Sequence, residues 1–439
     1  MINENILKEV MVSQKEIFLN RKDLFKREIL ENFYEKYGKL KEIVVITGIR
    51  RAGKSSLMKL IWDEFKTKEK LINDQFLYVN FEDERLIGFD KSDFQKIIQV
   101  YYELNSPAKN KKILLFLDEI QDVKYWEKWL NRLYEENKFK IFITGSNAML
   151  LSSELATALT GRNVAATLFP LSFYEFYIYF KNNSLTKQSF YDLDEKIKIK
   201  KEFQKYLKLG GMPECVKTKS PELIQEYFKN ILLRDIVNRY NVKYKQGLKE
   251  LAHILLANVG QVYSLRNLSR SVEIKNINTI KNYIQYLEES FLFSKLPLFS
   301  FSYKAQIYNP HKIYVADIAF FQNIAFKTSE NIGAIYENIA YLSLKRDKDN
   351  EIFYYKTKKN FEVDFLVKKG DKICSLIQAS SDIHNPKTRE REERALICAM
   401  EELKMPEGII INENIEKEKR ILNKKIIYIP LWKWLLKKS

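Results

Sequence analysis

The octapeptide GIRRAGKS, Gly48 to Ser55, constrains the fold of this chain more than any other stretch. An apolar run, EIVVIT, precedes it, and a helical pattern, SSLMKLIWDEF, follows. Strand, glycine loop and helix in that order match G-x-x-x-x-G-K-[ST] at every fixed position. The glycines let the backbone curl so that its N–H groups face phosphate oxygens, and the helix start adds partial positive charge. A nucleotide site is therefore expected from Gly48, Arg50, Arg51, Ala52, Gly53, Lys54, Ser55 and Ser56. Within it, Lys54 is expected to reach the β- and γ-phosphates and Ser55 to hold Mg2+, which makes ATP and Mg2+ the expected ligands.

A second motif supports the first. Ile113 to Glu119, ILLFLDE, reads as a buried strand ending in two carboxylates. Asp118 is expected at the Mg2+ shell. Glu119 is placed to polarise an attacking water as general base. Both are also residue types that cap a following helix, and capping is compatible with catalysis.

Composition sets outer limits. The 439 residues are 46% hydrophobic and 30% charged, as in ordinary globular chains. No apolar run approaches the ~18 residues of a membrane span. The opening MINENILKEV carries acids and lacks the apolar core of an export signal. Cys215, Cys374 and Cys398 have no metal spacing, so a reducing cytoplasm is expected. The net charge of +17 favours polyanionic partners, nucleic acid above all, although a Lys-rich, Gly-poor composition accounts for part of it.

Five β-rich runs, EIVVITG, QFLYVNFED, KKILLFLDEI, FKIFITGSN and VAATLFPLS, alternate with helical stretches. That alternation predicts an α/β fold with a parallel sheet covered on both faces. Residues 1–40 read as a helical segment, 41–171 as the sheet domain and 172–242 as helices only. Residues 243–301 form a compact helical pattern ending in apolar strands, and 302–439 mix strands and helices again.

An acid pair, rather than a lone Asp, at the second motif resembles the AAA-type ATPases. The stretches GIRRAGKSSL, YVNFEDERL, LFLDEIQDV, FITGSNAMLLSSELA, GRNVAATLFPLSFYEF, GGMPECV, YFKNILLRDIV, KIYVADIA, GAIYENIAYLSLKR and EVDFLV resemble one branch. Its members are bacterial and archaeal ATP-binding proteins with a C-terminal domain of unknown function. The resemblance implies an ATPase core at 41–171 with a helical lid at 172–242. It also implies that KIFITGSN lies beside the acid-pair strand, with Asn147 as a γ-phosphate sensor. A turn residue after a strand is the alternative for Asn147. Arg162, after SELATAL, stands where such modules carry an arginine finger for a neighbouring subunit, which implies a homo-oligomer. A local salt bridge is the alternative for Arg162.

Residues 243–301 resemble a winged helix. The last helix is expected to bury Ile277, Ile280, Ile284 and Leu287 and to offer Lys275, Asn278, Thr279, Lys281, Asn282, Gln285 and Tyr286 to double-stranded DNA. FLFSKLPLFSF is expected to form the wing strands. A spacer or a protein-binding surface is the alternative. Residues 302–439 resemble the restriction-endonuclease-like fold, in which Glu337 and Asp364 would hold a metal ion. Gln378 fits that pattern, but Ser380 stands where a lysine is needed, and Lys387 is the nearest substitute. The expected domain is thus a degenerate nuclease shape, and the tail PLWKWLLKK is expected to dock on it. The combined expectation is an ATPase coupled to DNA or a protein partner. The alternatives are a nucleotide-dependent regulatory switch with little turnover and an ATP-gated nuclease.

Overall fold

The computed structural model describes residues 2–107, 111–147, 159, 161–181, 188–325 and 331–437. They divide into two compact units, Met1–Phe169 with Glu289–Phe291 and Pro170–Glu288 with Leu292–Ser439. The helices expected as a lid therefore belong to the second unit.

In the first unit, α1 (Glu4–Leu19) precedes β1 (Ile43–Thr47), α2 (Lys54–Glu69), β2 (Phe76–Asn80), α3 (Phe94–Leu104), β3 (Ile113–Asp118), α4 (Trp126–Glu136), β4 (Phe139–Gly145) and β5 (Asn163–Thr167). The five runs singled out in the sequence are these five strands. They form one parallel sheet in the order β2-β3-β4-β1-β5. The helix expected over SELATAL lies outside the described residues.

Every residue of β1, β3 and β4 is buried, because helices cover both faces of a parallel sheet. Strand alternation sends Ile43, Val45, Leu77, Val79, Leu115 and Ile143 to one face, in a core shared with α1, α3 and α4. The other face is largely aromatic. Phe116 stacks on Phe142 at 4.9 Å, and Phe65 of α2 meets Phe142 edge-on at 5.5 Å. Edge strand β2 is clasped by Gln14 of α1, which donates to the Asn80 carbonyl at 3.1 Å and accepts from the Asn80 N–H at 2.9 Å.

The second unit begins with α5 (Phe173–Lys181), α6 (Leu193–Leu209), α7 (Pro213–Thr218) and α8 (Leu223–Asn230), and a π-helical stretch follows at Ile231–Asn238. Next come α9 (Lys245–Ala257), β6 (Val262–Tyr263), α10 (Leu265–Ser271), α11 (Ile277–Glu289), β7 (Phe293–Leu296), α12 (Tyr303–Tyr308) and β8 (His311–Val315). Strands β6, β8 and β7 form a small antiparallel sheet in that order. Only Phe293–Leu296 of the expected wing becomes strand. Pro297 lacks the N–H needed to extend the ladder, and β7 pairs instead with β8, which lies past the expected boundary at 301.

The rest comprises α13 (Ile318–Ile324), α14 (Ile332–Arg346), β9 (Glu351–Lys356), β10 (Glu362–Lys369), β11 (Lys372–Ala379), α15 (Pro386–Glu402), β12 (Glu407–Asn412), β13 (Lys417–Ile421), β14 (Lys424–Pro430) and α16 (Leu431–Leu436). The strands make a mixed sheet in the order β13-β14-β12-β11-β10-β9. Its core gathers Val363, Leu366, Leu376, Leu396, Ile410 and Tyr428. In α16, Leu431, Trp432 and Leu436 are buried, so the tail docks as expected. Among the described residues, no helix is long and apolar enough to cross a membrane.

Candidate nucleotide site

The loop from Gly48 to Gly53 joins β1 to α2, and its conformation depends on its glycines. Gly53 has φ +96°, in the left-handed region that glycine enters without strain. Gly48 has φ +146°, and a Cβ there would lie 2.1 Å from the Leu168 carbonyl oxygen. Lys54 is the first residue of the 16-residue α2, so the loop delivers unpaired N–H groups and the positive helix end to one point. Its ammonium is buried and donates to the Gly48 carbonyl at 3.2 Å, and it lies 3.5 Å from Glu119 Oε1. Arg50 pairs with Glu82 at 3.0 Å, while Arg51, at φ +68°, is exposed. Ala52 is buried and closes a turn on the Ile49 carbonyl at 3.1 Å. Ser56 follows in the first turn of α2.

The acid pair ends β3. Asp118 is 2% exposed. It accepts from the Tyr78 hydroxyl at 2.9 Å, from the Thr144 hydroxyl and from Ser55. Burial, and then the charge of Glu119, push its carboxyl above the usual range, against those hydrogen bonds. Glu119 differs. Burial raises its pKa, but the Lys54 charge, a hydrogen bond from Gln121 and the Arg50 charge outweigh this and hold it below its ordinary value. Its backbone N–H donates to Thr144 Oγ1 at 3.0 Å, and Gln121 Nε2 donates to its Oε2 at 2.5 Å. One acid thus stays charged at the mouth of the loop. The other is an over-buried acid that a cation would relieve. A hydroxyl and a carboxylate suit Mg2+, which uses few protein ligands.

Ser146 and Asn147 follow β4, directly beside β3, and both are fully buried at the acid-pair edge of the sheet. Arg162 lies at the opposite edge. Its carbonyl accepts from Ile43 N–H at the start of β1, and the five-residue β5 separates it from the loop edge by about 16 Å. Its guanidinium pairs with Glu135 at 2.6 Å and with Asn131 at 3.2 Å, so it cannot serve the nucleotide of its own chain.

The sequence reading missed the groups that hold this site in shape. Arg27, buried, donates to the Ala52 carbonyl at 3.0 Å and to the Phe169 carbonyl at 2.5 Å. Arg21 donates to the Ser55 carbonyl at 2.8 Å. Tyr78, Thr144 and Gln121 complete the shell around the acids. Only Gln121, two residues after Glu119, and Thr144, at the end of the neighbouring strand, carried any signal in the sequence.

In α11, Ile280, Tyr283, Ile284 and Leu287 are buried. Ile277, expected with them, is 39% exposed because it is the first residue of the helix. Asn278, Lys281, Asn282 and Gln285 are exposed and Thr279 is half-buried. Lys275, also exposed, precedes the helix. Tyr286, expected on the polar face, stacks on Tyr240 at 3.9 Å.

Glu337 of α14 and Asp364 of β10 come together, with a lysine between them. The Lys312 ammonium lies 2.8 Å from Glu337 Oε1 and 3.1 Å from Asp364 Oδ1, occupying the space between them. Lys387 is exposed in the first turn of α15, and Ser380 uses its N–H on the Ile411 carbonyl. Among the described residues, no group of three or more His, Cys, Asp or Glu is placed to hold a metal ion.

Residues 40–177 match a family described as an AAA domain. Residues 200–331 and 332–434 match two domains of unknown function, DUF8612 and DUF4143. An uncharacterized protein of Methanocaldococcus jannaschii is 34% identical over 98% of this chain and 99% of its own length. An uncharacterized protein of Haemophilus influenzae is 32% identical over 78% of this chain and 84% of its own. Among solved structures, AMPPCP-bound DnaA from Aquifex aeolicus is similar, with 19% identity over 62% of this chain and 93% of that one and a TM-score of 0.28.

Proposed function

The chain belongs to the family of AAA-type P-loop proteins that carry a C-terminal domain of unknown function, and we propose that it is a Mg2+-dependent ATPase coupling ATP turnover to a DNA- or partner-binding C-terminal half. The observation that carries this reading is the electrostatic split of the acid pair. Glu119 remains ionised 3.5 Å from Lys54, while its neighbour Asp118 is pushed toward protonation by burial. Adjacent carboxylates with opposed environments are a basis for assigning separate roles. Lys54 and the N–H groups at the start of α2 bind the phosphates. Asp118 and Ser55 are the residues that would hold Mg2+, which supplies charge neutralisation at the phosphates. Glu119 takes the proton of the attacking water, and Asn147 orients that water.

Arg162 is proposed to act on the nucleotide of a neighbouring copy, the one geometry open to a side chain at the far edge of the sheet. For the second half, helix α11 presents a buried apolar face and an exposed polar and basic one, in the order helix, strand, helix, helix, strand, strand of a winged helix once the short α12 inserted between β7 and β8 is set aside. We read Lys275, Asn278, Thr279, Lys281, Asn282 and Gln285 as its duplex-facing groups. We place the protein in the cytoplasm. A regulatory switch with slow turnover is the second reading, favoured by the ion pair that already holds Lys54.

One experiment tests the proposal. ATP turnover is measured across protein concentration, with and without duplex DNA, with Lys54→Ala as the control. An ATPase acting through neighbouring copies turns over faster per chain as concentration rises, and DNA changes the rate. Nucleotide binding with turnover no greater than that of Lys54→Ala would sink the ATPase reading in favour of the switch.

A further inference from the structure

Lys312 is the most unusual charged residue outside the nucleotide site. Its side chain is 3% exposed, and three carboxylate oxygens surround its ammonium: Glu337 Oε1 at 2.8 Å, Glu362 Oε1 at 2.8 Å and Asp364 Oδ1 at 3.1 Å. These acids come from two elements, α14 and β10. The lysine comes from β8, which belongs to a different sheet, where it pairs with Val262 of β6 and Leu296 of β7.

Further groups brace the acids. Tyr314, two residues along on the same face of β8, donates its hydroxyl to Glu337 Oε1 at 2.6 Å. The Ala379 N–H donates to Asp364 Oδ2 at 3.0 Å, and the Asp364 N–H donates to Gln378 Oε1 at 3.1 Å. Lys356 reaches Glu362 Oε2 at 3.7 Å from the edge. On the far side of Glu337 stands Gly260, where a Cβ would lie 3.0 Å from Oε2. The cluster is buried at Lys312, Glu337 and Asp364 and opens toward solvent at Glu362.

We infer that Lys312 is an internal cation occupying the position a divalent ion would take among Glu337, Glu362 and Asp364, so that the native C-terminal domain keeps the carboxylates of a metal site but binds no metal there. Distances and charge both support this. Separations of 2.8–3.1 Å are those of N–H···O bonds and exceed the roughly 2.0–2.6 Å of Mg2+ and Ca2+ to oxygen. Two buried carboxylates and a half-buried third without a cation would carry a desolvation cost, and the ammonium meets it with three charge-assisted bonds. The absence of lysine at Ser380 follows from the same arrangement, because the cluster already has its ammonium from another strand. The cluster therefore joins the three-stranded sheet to the six-stranded one through charge, and metal-dependent strand cleavage has no ion to work with.

Removing the ammonium turns the inference into an observable. In Lys312→Ala, three carboxylates face one vacated point, and drawing each in by about 0.5 Å gives calcium or manganese distances. The full-length protein is stripped with chelator, kept free of nucleotide and titrated with Mn2+, bound ion being read by electron paramagnetic resonance. Wild type and Glu337→Gln should bind the same number of ions. Lys312→Ala should bind one more, and Lys312→Ala/Asp364→Asn should lose it again. Saturating Ca2+ should raise the melting temperature of Lys312→Ala by roughly 5 °C and leave wild type unchanged. If wild type binds a Mn2+ that Glu337→Gln loses, the carboxylates hold metal beside the lysine and the inference is overturned. A folded Lys312→Ala that gains no ion overturns it equally. Should Lys312→Ala not fold, the comparison of wild type with Glu337→Gln decides alone.

Discussion

Replacing Glu119 with Gln should move two properties of the nucleotide site in opposite directions. The carboxylate sits 3.5 Å from the Lys54 ammonium, and both side chains are almost fully buried. At an effective dielectric near 20, their attraction is about 5 kcal/mol. Much of it is offset, since Lys54 keeps its bonds to the Gly48 and Ile49 carbonyls. Incoming phosphate must still draw Lys54 from Glu119 and sit beside a second anion. Neutralising Glu119 removes that competition, and recovering even ~1.4 kcal/mol of it tightens ATP binding about tenfold. Turnover should fall by roughly 10²- to 10⁴-fold, the range of a lost general base, because an amide takes no proton. The backbone should be unaffected, since Gln carries no new steric demand at φ +53° and its amide oxygen still accepts from Gln121. Titration with a fluorescent ATP analogue reads the first effect, and phosphate release reads the second. Hydrolysis at the wild-type rate would refute the base assignment. Tenfold weaker binding would mean that Glu119 positions Lys54 rather than competing for it.

Replacing Arg162 with Ala should spare ATP binding and cut turnover by up to about 10³-fold. Mixing that variant with Lys54→Ala should restore part of the activity, and no restoration in a titrated mixture would remove the neighbouring-copy role. Replacing Lys275 and Lys281 together with Ala should weaken duplex binding and flatten its salt dependence, by about 0.9 in slope for each phosphate no longer neutralised. Replacing Lys424 and Lys425 should do neither, and equal slopes for the two double variants would dissolve the α11 assignment into general basicity. Burial pushes Asp317 up to about 6 from an ordinary 3.8, against hydrogen bonds from the Ala319 and Gly211 N–H groups. A raised carboxyl pKa gives stability that is full below pH 3.8 and lost as pH climbs through 6, about 3 kcal/mol in all. Urea unfolding from pH 4 to 7 should therefore show a slope that Asp317→Asn removes, whatever its own mean stability.

The parts of the fold visible in the sequence share one property: local composition determines them. Runs such as ILLFLD and FKIFITG must be buried on both faces, and only a covered parallel sheet does that for several strands at once. The glycine loop is similarly local, because Gly48 and Gly53 occupy backbone conformations other residues enter with strain. The wing strand β8 was misjudged because its partner β7 lies 15 or more residues upstream, and nothing in HKIYV names that partner. Lys312 was missed for a related reason. In a strand it reads as one more solvent-facing cation of a basic chain, until α14 and β10 bring three carboxylates to it.

The N-terminal segment makes the same point at the nucleotide site. Its composition reads as a polar helical leader, yet Arg27 and Arg21 bind the carbonyls of Ala52 and Ser55, on either side of Gly53 and Lys54. A loop that offers its N–H groups to phosphate turns its carbonyls the other way. Buried carbonyls need donors of their own, since an unpaired one costs about 1–3 kcal/mol. Guanidinium groups suit this task, because they donate in several directions and stay charged at any working pH. Arg27 uses two of its N–H groups at once, on Ala52 and on Phe169 just beyond β5, so it ties the back of the loop to the segment leaving the neighbouring strand at the same edge of the sheet. The phosphate-facing side of the motif is written in eight consecutive residues. The side that keeps it open is written more than twenty residues earlier, in arginines that no pattern of the loop itself requires.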